Sequence, residues 1–347
     1  MTRQGGNTSK YLPWQWCAFP LSVTSQPTPR LTPRSILVIK LGALGDLVQC
    51  LDAFYAIRCH HPDRRLILLT APPFAAFGQA MPWFDEIWRD TRPKIWQINQ
   101  WVALIGRLRS EPLERVYDLQ SNQRTGLYFR LLAGKRPEWS GEVDGCSHPR
   151  PPFLSMTGHN HDRLLEHIRS AGVPEVGPAP LDWLDADVSR LDLPARFVVL
   201  VPGCSPLRPG KRWPTAYFAD LANRLARRGI ASVAIGTKAD QPQVAEICAA
   251  APGVIDLCGR TSLPDIGAIA RTALGTVGND TGPLFIAGIV GCPTLMLMSS
   301  KETIAERMAP LGPNAGWLQR QELADLTVGE VEAALRLRNE SSQGAAA

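Results

Sequence analysis

The stretch Ser35-Ile-Leu-Val-Ile-Lys-Leu-Gly-Ala-Leu-Gly-Asp46 is an apolar run that ends in a glycine-containing turn. A continuous apolar run of this kind is typical of a parallel strand that is buried on both faces. Apolar residues then recur at helical spacing over residues 46–59. The stretch therefore predicts a strand, a tight turn and a helix, with free N–H groups at the helix start that favour an anion.

Further βα units follow on both sides of a Pro- and Gly-rich tract at residues 172–180. Before the tract, the patterns predict strands at residues 66–70 and 115–119 and helices at residues 96–108, 122–132 and 161–170. After it, they predict strands at 197–201, 231–235, 254–257, 275–277 and 294–298 and helices at 215–228, 241–250, 263–272, 283–290 and 327–337. We therefore expect an α/β fold of two Rossmann-like halves, with parallel sheets that face each other across a cleft.

The predicted domain organisation has four parts. Residues 1–33 contain five prolines among Ser and Thr and predict a disordered or appended arm. Residues 34–180 form the first Rossmann-like domain and residues 181–325 the second. Residues 326–347 form a C-terminal helix and a disordered tail.

The composition excludes several classes of protein. Of the 347 residues, 45% are hydrophobic and 20% charged, which is ordinary for a globular protein. Of the formal net charge of +5, three charges lie in residues 1–33 and one each in residues 34–185 and 186–347, so neither half is a basic module and nucleic acid is not an expected partner. The eight cysteines form no C-x-x-C pair and predict reduced, mostly buried thiols in a cytoplasmic protein. The longest apolar stretch, residues 284–298, is too short and too broken by glycine and proline to span a bilayer.

Residues just after the strands are the candidates for chemistry, because ligands bind at the carboxyl ends of parallel strands. Asp46 has two interpretations: the N-cap of the following helix, or a general base over the cleft. The turn lacks the G-x-G-x-x-G pattern, and the second strand ends in Thr70 and Ala71 without an acid for a ribose. A nicotinamide enzyme is therefore disfavoured.

The second half contributes two candidate phosphate sites. Ser205 and the cations Arg208, Lys211 and Arg212 precede a helix start and would suit a diphosphate, although solvated loop charge is an alternative. The turn at residues 278–283 presents a carboxylate and a hydroxyl at another helix start. Its aspartate is either a plain N-cap or a contact to sugar and phosphate.

Five segments in order resemble glycosyltransferase family 9, the family of ADP-heptose:lipopolysaccharide heptosyltransferases, over about residues 35–310. These segments are Lys40-x-x-x-x-Gly45-Asp46, Asp118-x-Gln120-x-x-x-Arg124, Lys211-x-Trp213-Pro214, Leu257-x-Gly259-x-x-x-Leu263 and Asn279-Asp280-Thr281-Gly282.

The resemblance implies a GT-B fold and an inverting, metal-independent transfer of a heptose-like sugar from a nucleotide-sugar, ADP-heptose, to a lipopolysaccharide-core or related glycolipid acceptor. No other cofactor is implied. Asp46 would take the acceptor proton, and Lys211 would offset charge on the leaving diphosphate. The implied donor-binding residues are Ser205, Lys211, Thr237, Asp280, Thr281 and Gly282. The implied acceptor-binding residues are Gly45, Gln120, Arg124, His159 and Arg163, of which the last two are four apart, as on one helical face.

Two positions depart from the family pattern and keep other functions open. Phe285 stands where the family usually has His, and Lys238 stands where it often has Glu. A non-catalytic nucleotide-sugar-binding or scaffold protein is one alternative. A nucleotide-sugar epimerase or hydrolase on the same frame is another.

Without a spanning segment, any membrane attachment would be peripheral, on the inner face of the cytoplasmic membrane. Trp14 and Trp16 in the N-terminal arm are one candidate anchor. A basic cluster is the other, although ordinary charge at a helix end is the favoured explanation for it; it comprises Arg58, His60, His61, Arg64 and Arg65.

Overall fold

The computed structural model describes residues 34–132, 134, 136–152 and 158–338. The predicted arm and the predicted tail beyond residue 338 lie outside these residues. The first series of elements is β1 (Ser35–Ile39), α1 (Leu44–Gln49), α2 (Leu51–His60), β2 (Arg65–Thr70), α3 (Ala75–Ala80), β3 (Glu86–Arg89), α4 (Ile98–Ser110), β4 (Leu113–Asp118), α5 (Gln123–Leu131), β5 (Glu138–Gly141), β6 (His148–Pro149) and α6 (Asn160–Ser170).

The second series follows after a connection without long elements. It comprises β7 (Phe197–Val201), α7 (Thr215–Arg227), β8 (Ala231–Ala234), α8 (Gln241–Ala250), β9 (Val254–Asp256), α9 (Leu263–Thr272), β10 (Gly275–Asn279), α10 (Gly282–Ile289), β11 (Thr294–Ser299), α11 (Ala305–Met308), β12 (Ala315–Arg320) and α12 (Val328–Ala334).

Each series forms one six-stranded parallel sheet. The strand orders are β3-β2-β1-β4-β5-β6 and β12-β11-β10-β7-β8-β9. If the strands of each half are numbered from one to six, both sheets have the order 3-2-1-4-5-6, the second when it is read from β9. Strand order therefore reverses between β1 and β4 in the first sheet and between β7 and β10 in the second. These two switch points are where an open α/β sheet leaves a crevice for a ligand. The predicted α/β fold with two Rossmann-like halves is confirmed.

Element boundaries differ from the predictions where a turn tightens. The helix predicted over residues 46–59 is two helices, because the Cys50 N–H bonds the Leu47 carbonyl three residues back and interrupts the ladder. The helix predicted to reach residue 337 ends at Ala334, since Leu335 is extended. Beyond it, the Arg338 N–H donates to the Leu274 carbonyl.

Four strands carry no clear sequence pattern: β3, β5, β6 and β12. They lie at or next to the edges of the sheets. β3 and β12 mix charged or amide side chains with tryptophan and are only partly buried. Short edge strands need no continuous apolar run, so the hydrophobic period does not reveal them.

The C-terminal helix α12 packs on the second half. The Trp213 indole N–H donates to the Leu326 carbonyl oxygen at 2.8 Å. Leu326 and Val331 are fully buried in the same apolar cluster as Trp213. The Lys211-x-Trp213-Pro214 segment is thereby anchored by Leu326 and the helix that follows it.

Asp52 holds three segments of the first half together. Its carboxylate accepts from the ring of His161 at 2.8 Å and from the Ala179 N–H at 2.8 Å. Burial alone would raise the pKa of Asp52, but these hydrogen bonds outweigh it and hold the pKa below its ordinary value. The hydrogen bond to Asp52 raises the pKa of His161 against the effect of burial.

We expect His161→Gln to lower the free energy of unfolding by about 1.5–3 kcal/mol at pH 6, the scale of a hydrogen bond between charged groups. A group with a raised pKa gives its full stabilisation below its ordinary pKa of 6.5 and loses it as pH rises through the folded-state value. Urea unfolding between pH 5.5 and 9 should therefore show a difference from the wild type that shrinks with pH.

The exposed His60 provides the matched control. His60→Gln should change stability by less than about 0.5 kcal/mol at each pH, as surface substitutions usually do. An effect of His161→Gln that is the same at every pH would contradict the ion pair.

Candidate active site

Polar contacts across the first switch point fix the turn after β1. Lys40 is buried, and its Nζ donates to the Leu119 carbonyl oxygen at 3.2 Å. The Leu41 N–H donates to Gln120 Oε1 at 2.9 Å. These contacts join the loops after β1 and β4, so they set the direction in which the chain enters α1.

Asp46 lies in the first turn of α1. The helix begins at Leu44, and the N-cap position belongs to Ala43. The interpretation of Asp46 as the N-cap is therefore wrong. Its Oδ2 accepts from the Ala43 N–H at 2.8 Å, and the residue is partly exposed. One oxygen thus holds the turn while the carboxylate stays accessible to a substrate.

The first turns of α1 and α10 pack directly on each other and join the two halves. A Cβ atom on Gly45 would come within 2.7 Å of the Phe285 ring, and one on Gly282 would come within 2.4 Å of Leu44. Both positions therefore need glycine for this approach. Because α1 follows β1 and α10 follows β10, the carboxyl ends of the two sheets meet at this contact.

Phe285 fills the contact between the halves. Its side chain is 2% exposed and lies against the backbone of Gly45. An aromatic hydrocarbon ring packs there without needing a hydrogen-bond partner. The position at which the resembled family has His is therefore a packing position in this chain.

A buried ion pair lies at the second switch point. Lys211 Nζ donates to Asp280 Oδ2 at 2.5 Å, and the two side chains are 12% and 6% exposed. The Thr303 hydroxyl donates to the same oxygen at 2.6 Å. A buried charge is tolerated only when it is paired, so Asp280 fixes the ammonium group of Lys211 at the end of β10.

Asn279 ties three segments of the second half. Its Nδ2 donates to the Pro202 carbonyl oxygen at 2.7 Å, and its Oδ1 accepts from the Trp213 N–H at 2.9 Å. The loop after β7, the segment that carries Lys211 and the turn after β10 are thereby held in register.

The N-terminus of α10 is left without a side-chain cap. Thr281 is the N-cap residue, which makes the interpretation of Asp280 as the N-cap wrong. The Thr281 hydroxyl is buried and has no hydrogen-bond partner. Gly282 and Pro283 open the helix, and Pro283 carries no N–H. A buried polar group without a partner beside a helix N-terminus suits an anionic ligand.

Ser205 and Thr237 follow β7 and β8 beside the same switch point, and both are exposed. The Thr237 hydroxyl donates to the buried Asp240 at 2.7 Å. Lys238 is exposed and lies over Gly259, where an added Cβ would come within 2.9 Å of the lysine side chain. The loops after three adjacent strands therefore line one edge of the second sheet.

Two residues implied as acceptor contacts are already engaged. Gln120 accepts from the Leu41 N–H, as described above. Arg124 donates to the Pro93 carbonyl oxygen at 3.0 Å and lies over the Trp101 ring, 5.2 Å from its centroid. Both side chains organise the loops that surround Asp46.

His159 links the two halves. It is the N-cap of α6, outside the helix, and its Nδ1 accepts from the His161 N–H. Its Nε2 bonds the Ala309 carbonyl oxygen of the second half at 3.0 Å. The prediction that His159 and Arg163 share a helical face is therefore wrong for His159.

Arginines of both halves converge beside α6. Burial and the charge of Arg307 lower the pKa of Arg163. Burial and Arg163 lower the pKa of Arg150 to about 10, against the opposing effect of Asp118. Arg150 also pairs with Glu142. An anion bound here would relieve the repulsion among these cations.

A polar cavity of about 660 Å³ opens beyond the carboxyl ends of β4 and β5. Asp118 lies at its floor, where burial raises the pKa to about 6 against hydrogen bonds from Thr125 and from backbone N–H groups. The start of α5 forms one wall and Arg130 another. The cavity is polar and large enough for a sugar.

Sequence reasoning missed Thr303, Arg150 and Arg307. Each belongs to a segment without a motif, and each reaches the site from an element distant in the chain. No local signal in the sequence distinguishes them from other surface hydroxyls and cations.

The described residues hold neither a metal-binding cluster nor a membrane-spanning helix. No three His, Cys, Asp or Glu side chains among them gather closely enough to bind a metal ion. None of their helices is both long enough and apolar enough to cross a bilayer.

Comparison with known proteins identifies relatives. Residues 177–334 match the family model of glycosyltransferase family 9 (heptosyltransferase). Lipopolysaccharide heptosyltransferase 1 of Pseudomonas aeruginosa is 24% identical over 282 residues, which are 76% of this chain and 78% of that protein.

Solved structures share the fold over most of the chain. The glycosyl transferase family 9 structure from Veillonella parvula has a TM-score of 0.74 at 18% identity and covers 88% of this chain and 96% of its own. The Escherichia coli ADP-heptose lps heptosyltransferase II has a TM-score of 0.69 at 21% identity and covers 87% and 97%.

These likenesses confirm the GT-B fold, in which two Rossmann-like domains face each other. Three of the five motif segments lie within the matched residues 177–334, and the other two surround Asp46 in the first half. The second half of the chain is therefore similar to glycosyltransferase family 9, and a curated relative over three quarters of the chain is a heptosyltransferase.

Proposed function

We propose that the protein is an inverting glycosyltransferase that moves a heptose-like sugar from an ADP-sugar to a lipopolysaccharide-core or related glycolipid acceptor. The observation that carries this proposal is the contact between the first turns of α1 and α10. It places the accessible carboxylate of Asp46 beside the uncapped start of α10. The names of the relatives support heptose as the sugar, lipopolysaccharide as the acceptor and ADP as the nucleotide.

The second half would hold the donor. The buried Thr281 hydroxyl and the backbone N–H groups of α10 would bind its phosphates. Ser205, Thr237 and the edge of the Asp280 turn would contact the remaining phosphate, the nucleoside and the sugar. Phe285 donates no hydrogen bond, so phosphate binding depends on Thr281 and Lys211.

The transfer itself would be a single displacement. An acceptor hydroxyl oxygen forms a bond to the anomeric carbon, the bond from that carbon to the phosphate oxygen breaks, and the nucleoside diphosphate leaves. Asp46 takes the hydroxyl proton. Lys211, held in place by Asp280 and Thr303, stabilises the negative charge that develops on the leaving diphosphate. No metal ion or other cofactor is part of this proposal.

The first half would hold the acceptor. The polar cavity beside Asp118 fits a sugar, and the cations Arg150, Arg163 and Arg307 fit acidic groups of a lipopolysaccharide core. Gly45 packs on Phe285 and positions the turn that carries Asp46, while Gln120, Arg124 and His159 support the surrounding loops. A cytoplasmic enzyme at the inner face of the cytoplasmic membrane would meet such an acceptor.

We expect an ADP-sugar to stabilise the protein selectively. A ligand that binds only the folded state at 100 times its dissociation constant adds about 2.7 kcal/mol of stability. Thermal unfolding with ADP-, UDP-, GDP- and CDP-sugars measures this. Equal shifts with all four, or none with any, would contradict the proposed donor.

We expect Asp46→Asn to lower the rate of transfer by about 10²–10⁴-fold, the usual contribution of a general base. Binding of the ADP-sugar should stay within about twofold, because Asp46 lies in the other half. Transfer is measured as nucleoside diphosphate released in the presence of acceptor.

Asp185→Asn is the matched control, since this carboxylate is exposed outside the site. It should leave transfer unchanged. Full activity of Asp46→Asn would exclude Asp46 as the base. Donor binding without turnover in the wild type, whatever the acceptor, would favour a non-catalytic binding protein.

We expect Lys211→Met to lower kcat by about 10²–10³-fold, the scale of losing one preorganised electrostatic contact. It also leaves Asp280 buried without its cation, so the thermal unfolding temperature should fall. The double variant Lys211→Met/Asp280→Asn should regain stability but not kcat. If the double variant regains kcat, Lys211 acts only in folding.

A further inference from the structure

An exposed apolar surface projects from the loop after β3 and the start of α4. It comprises Ile95, Trp96, Ile98 and Val102, which are 82%, 69%, 68% and 66% exposed and are called the Trp96 patch below. The other large apolar side chains that are exposed in the described residues stand singly in the sequence; they are Leu127, Leu207, Ile304 and Trp317. Clustered exposure on this scale marks an interaction surface.

Hydrogen bonds hold the segment that carries the Trp96 patch. The Trp101 indole N–H donates to the Lys94 carbonyl oxygen at 3.1 Å, and the Gln97 side chain accepts from the Lys94 N–H at 2.7 Å. Ile105 and Leu108 in the second half of α4 are buried. The second half of the helix therefore has its core contacts, whereas Ile98 and Val102 in the first turns of the same apolar stripe are exposed.

The surroundings of the patch are cationic. Residues 91–110 contain Arg92, Lys94, Arg107 and Arg109 and no acidic residue; Asp90 precedes them, and Arg107 pairs with Glu86 of β3. The Lys94 ammonium group lies over the Trp96 ring, 5.1 Å from its centroid. Tryptophan beside lysine, with apolar neighbours, is the composition of a segment that lies in the interface of an anionic bilayer.

The Trp96 patch is linked to the loop that leads to Asp46. The Arg92 guanidinium donates to the Leu41 carbonyl oxygen at 2.5 Å, and Arg124 donates to the Pro93 carbonyl oxygen at 3.0 Å. The patch follows β3, so it lies at the carboxyl edge of the first sheet, as the active-site loops do. A surface seated on this patch would lie beside the acceptor side of the cleft.

The basic cluster at residues 58–65 is less suited than the Trp96 patch to bind an anionic bilayer. Arg58 pairs with Asp85, Arg64 with Glu114, and Arg65 with Glu86 and Glu111. Arg65 opens β2, which places it at the amino edge of the sheet, opposite the cleft. The three arginines of this cluster are therefore paired with carboxylates, and the cluster lies on the side of the sheet away from Asp46.

We propose that the Trp96 patch docks the protein on an anionic phospholipid bilayer, with the apolar side chains in the interface and Lys94 at the headgroups. This docking proposal rests on the proposed function in one respect: the acceptor is a glycolipid, and its lipid part would be held in the same bilayer. Docking would bring the loop before Asp46 to the membrane surface without any segment crossing it.

Sedimentation with vesicles of phosphatidylcholine, with or without phosphatidylglycerol, tests the surface. The full chain should bind the vesicles that contain phosphatidylglycerol. Ile95→Ser/Trp96→Ser should lower its partition coefficient by about tenfold or more, since these side chains supply the buried apolar area. Lys94→Glu should lower binding to the anionic vesicles alone, and by less at high salt.

Trp317→Ser is the matched control, because Trp317 is an exposed tryptophan on β12 of the second half. It should bind as the wild type does. Equal binding by Ile95→Ser/Trp96→Ser and the wild type would overturn the proposal. So would loss of binding in Trp14→Ser/Trp16→Ser while the patch variant still binds, or a lipid-free dimer that only the patch variant dissociates.

A transfer assay tests the proposed function independently of membrane binding. Transfer to a delipidated, soluble acceptor should be unchanged in Ile95→Ser/Trp96→Ser and reduced toward the vesicle-bound acceptor. A chain that binds vesicles through the patch but transfers no sugar keeps the surface and loses the function. A chain that transfers sugar but ignores vesicles loses the surface alone.

Discussion

The close packing of the first turns of α1 and α10 is the contact on which the rest of the site depends. Gly45 lies against the Phe285 ring and Gly282 lies against Leu44, so neither glycine has room for a side chain. The two six-stranded sheets thereby meet at their carboxyl ends, where each has a switch point. This contact brings the turn that carries Asp46 close to the start of α10.

Buried polar groups at both switch points are satisfied by partners from distant loops. Lys40 bonds the loop after β4, and Asn279 bonds both the loop after β7 and the segment before α7. Lys211 is paired with Asp280. Burial makes such partners obligatory, so the loops are held in fixed positions before a substrate arrives. The Thr281 hydroxyl is a buried group without such a partner, and it lies at the start of α10.

Ion pairing distinguishes two basic segments that look alike in the sequence. The arginines 58, 64 and 65 form a basic run, yet each is paired with a carboxylate from another element. Near the Trp96 patch Arg107 is paired with Glu86, whereas Lys94 lies over the Trp96 ring beside the exposed apolar side chains. Ion pairing therefore decides which basic segment can meet an anionic partner, and pairing is a property of the fold.

The sequence by itself determined the βα alternation, the two halves and the motif residues after the strands, because hydrophobic period and turn glycines are local signals. It did not reveal the edge strands β3, β5, β6 and β12, whose short mixed patterns are not distinctive. Only the tertiary structure decided that Phe285 packs on Gly45, that Asp280 holds Lys211 and that His159 caps a helix and reaches Ala309. These contacts join residues far apart in the chain, and no local pattern specifies which partner a buried side chain will find.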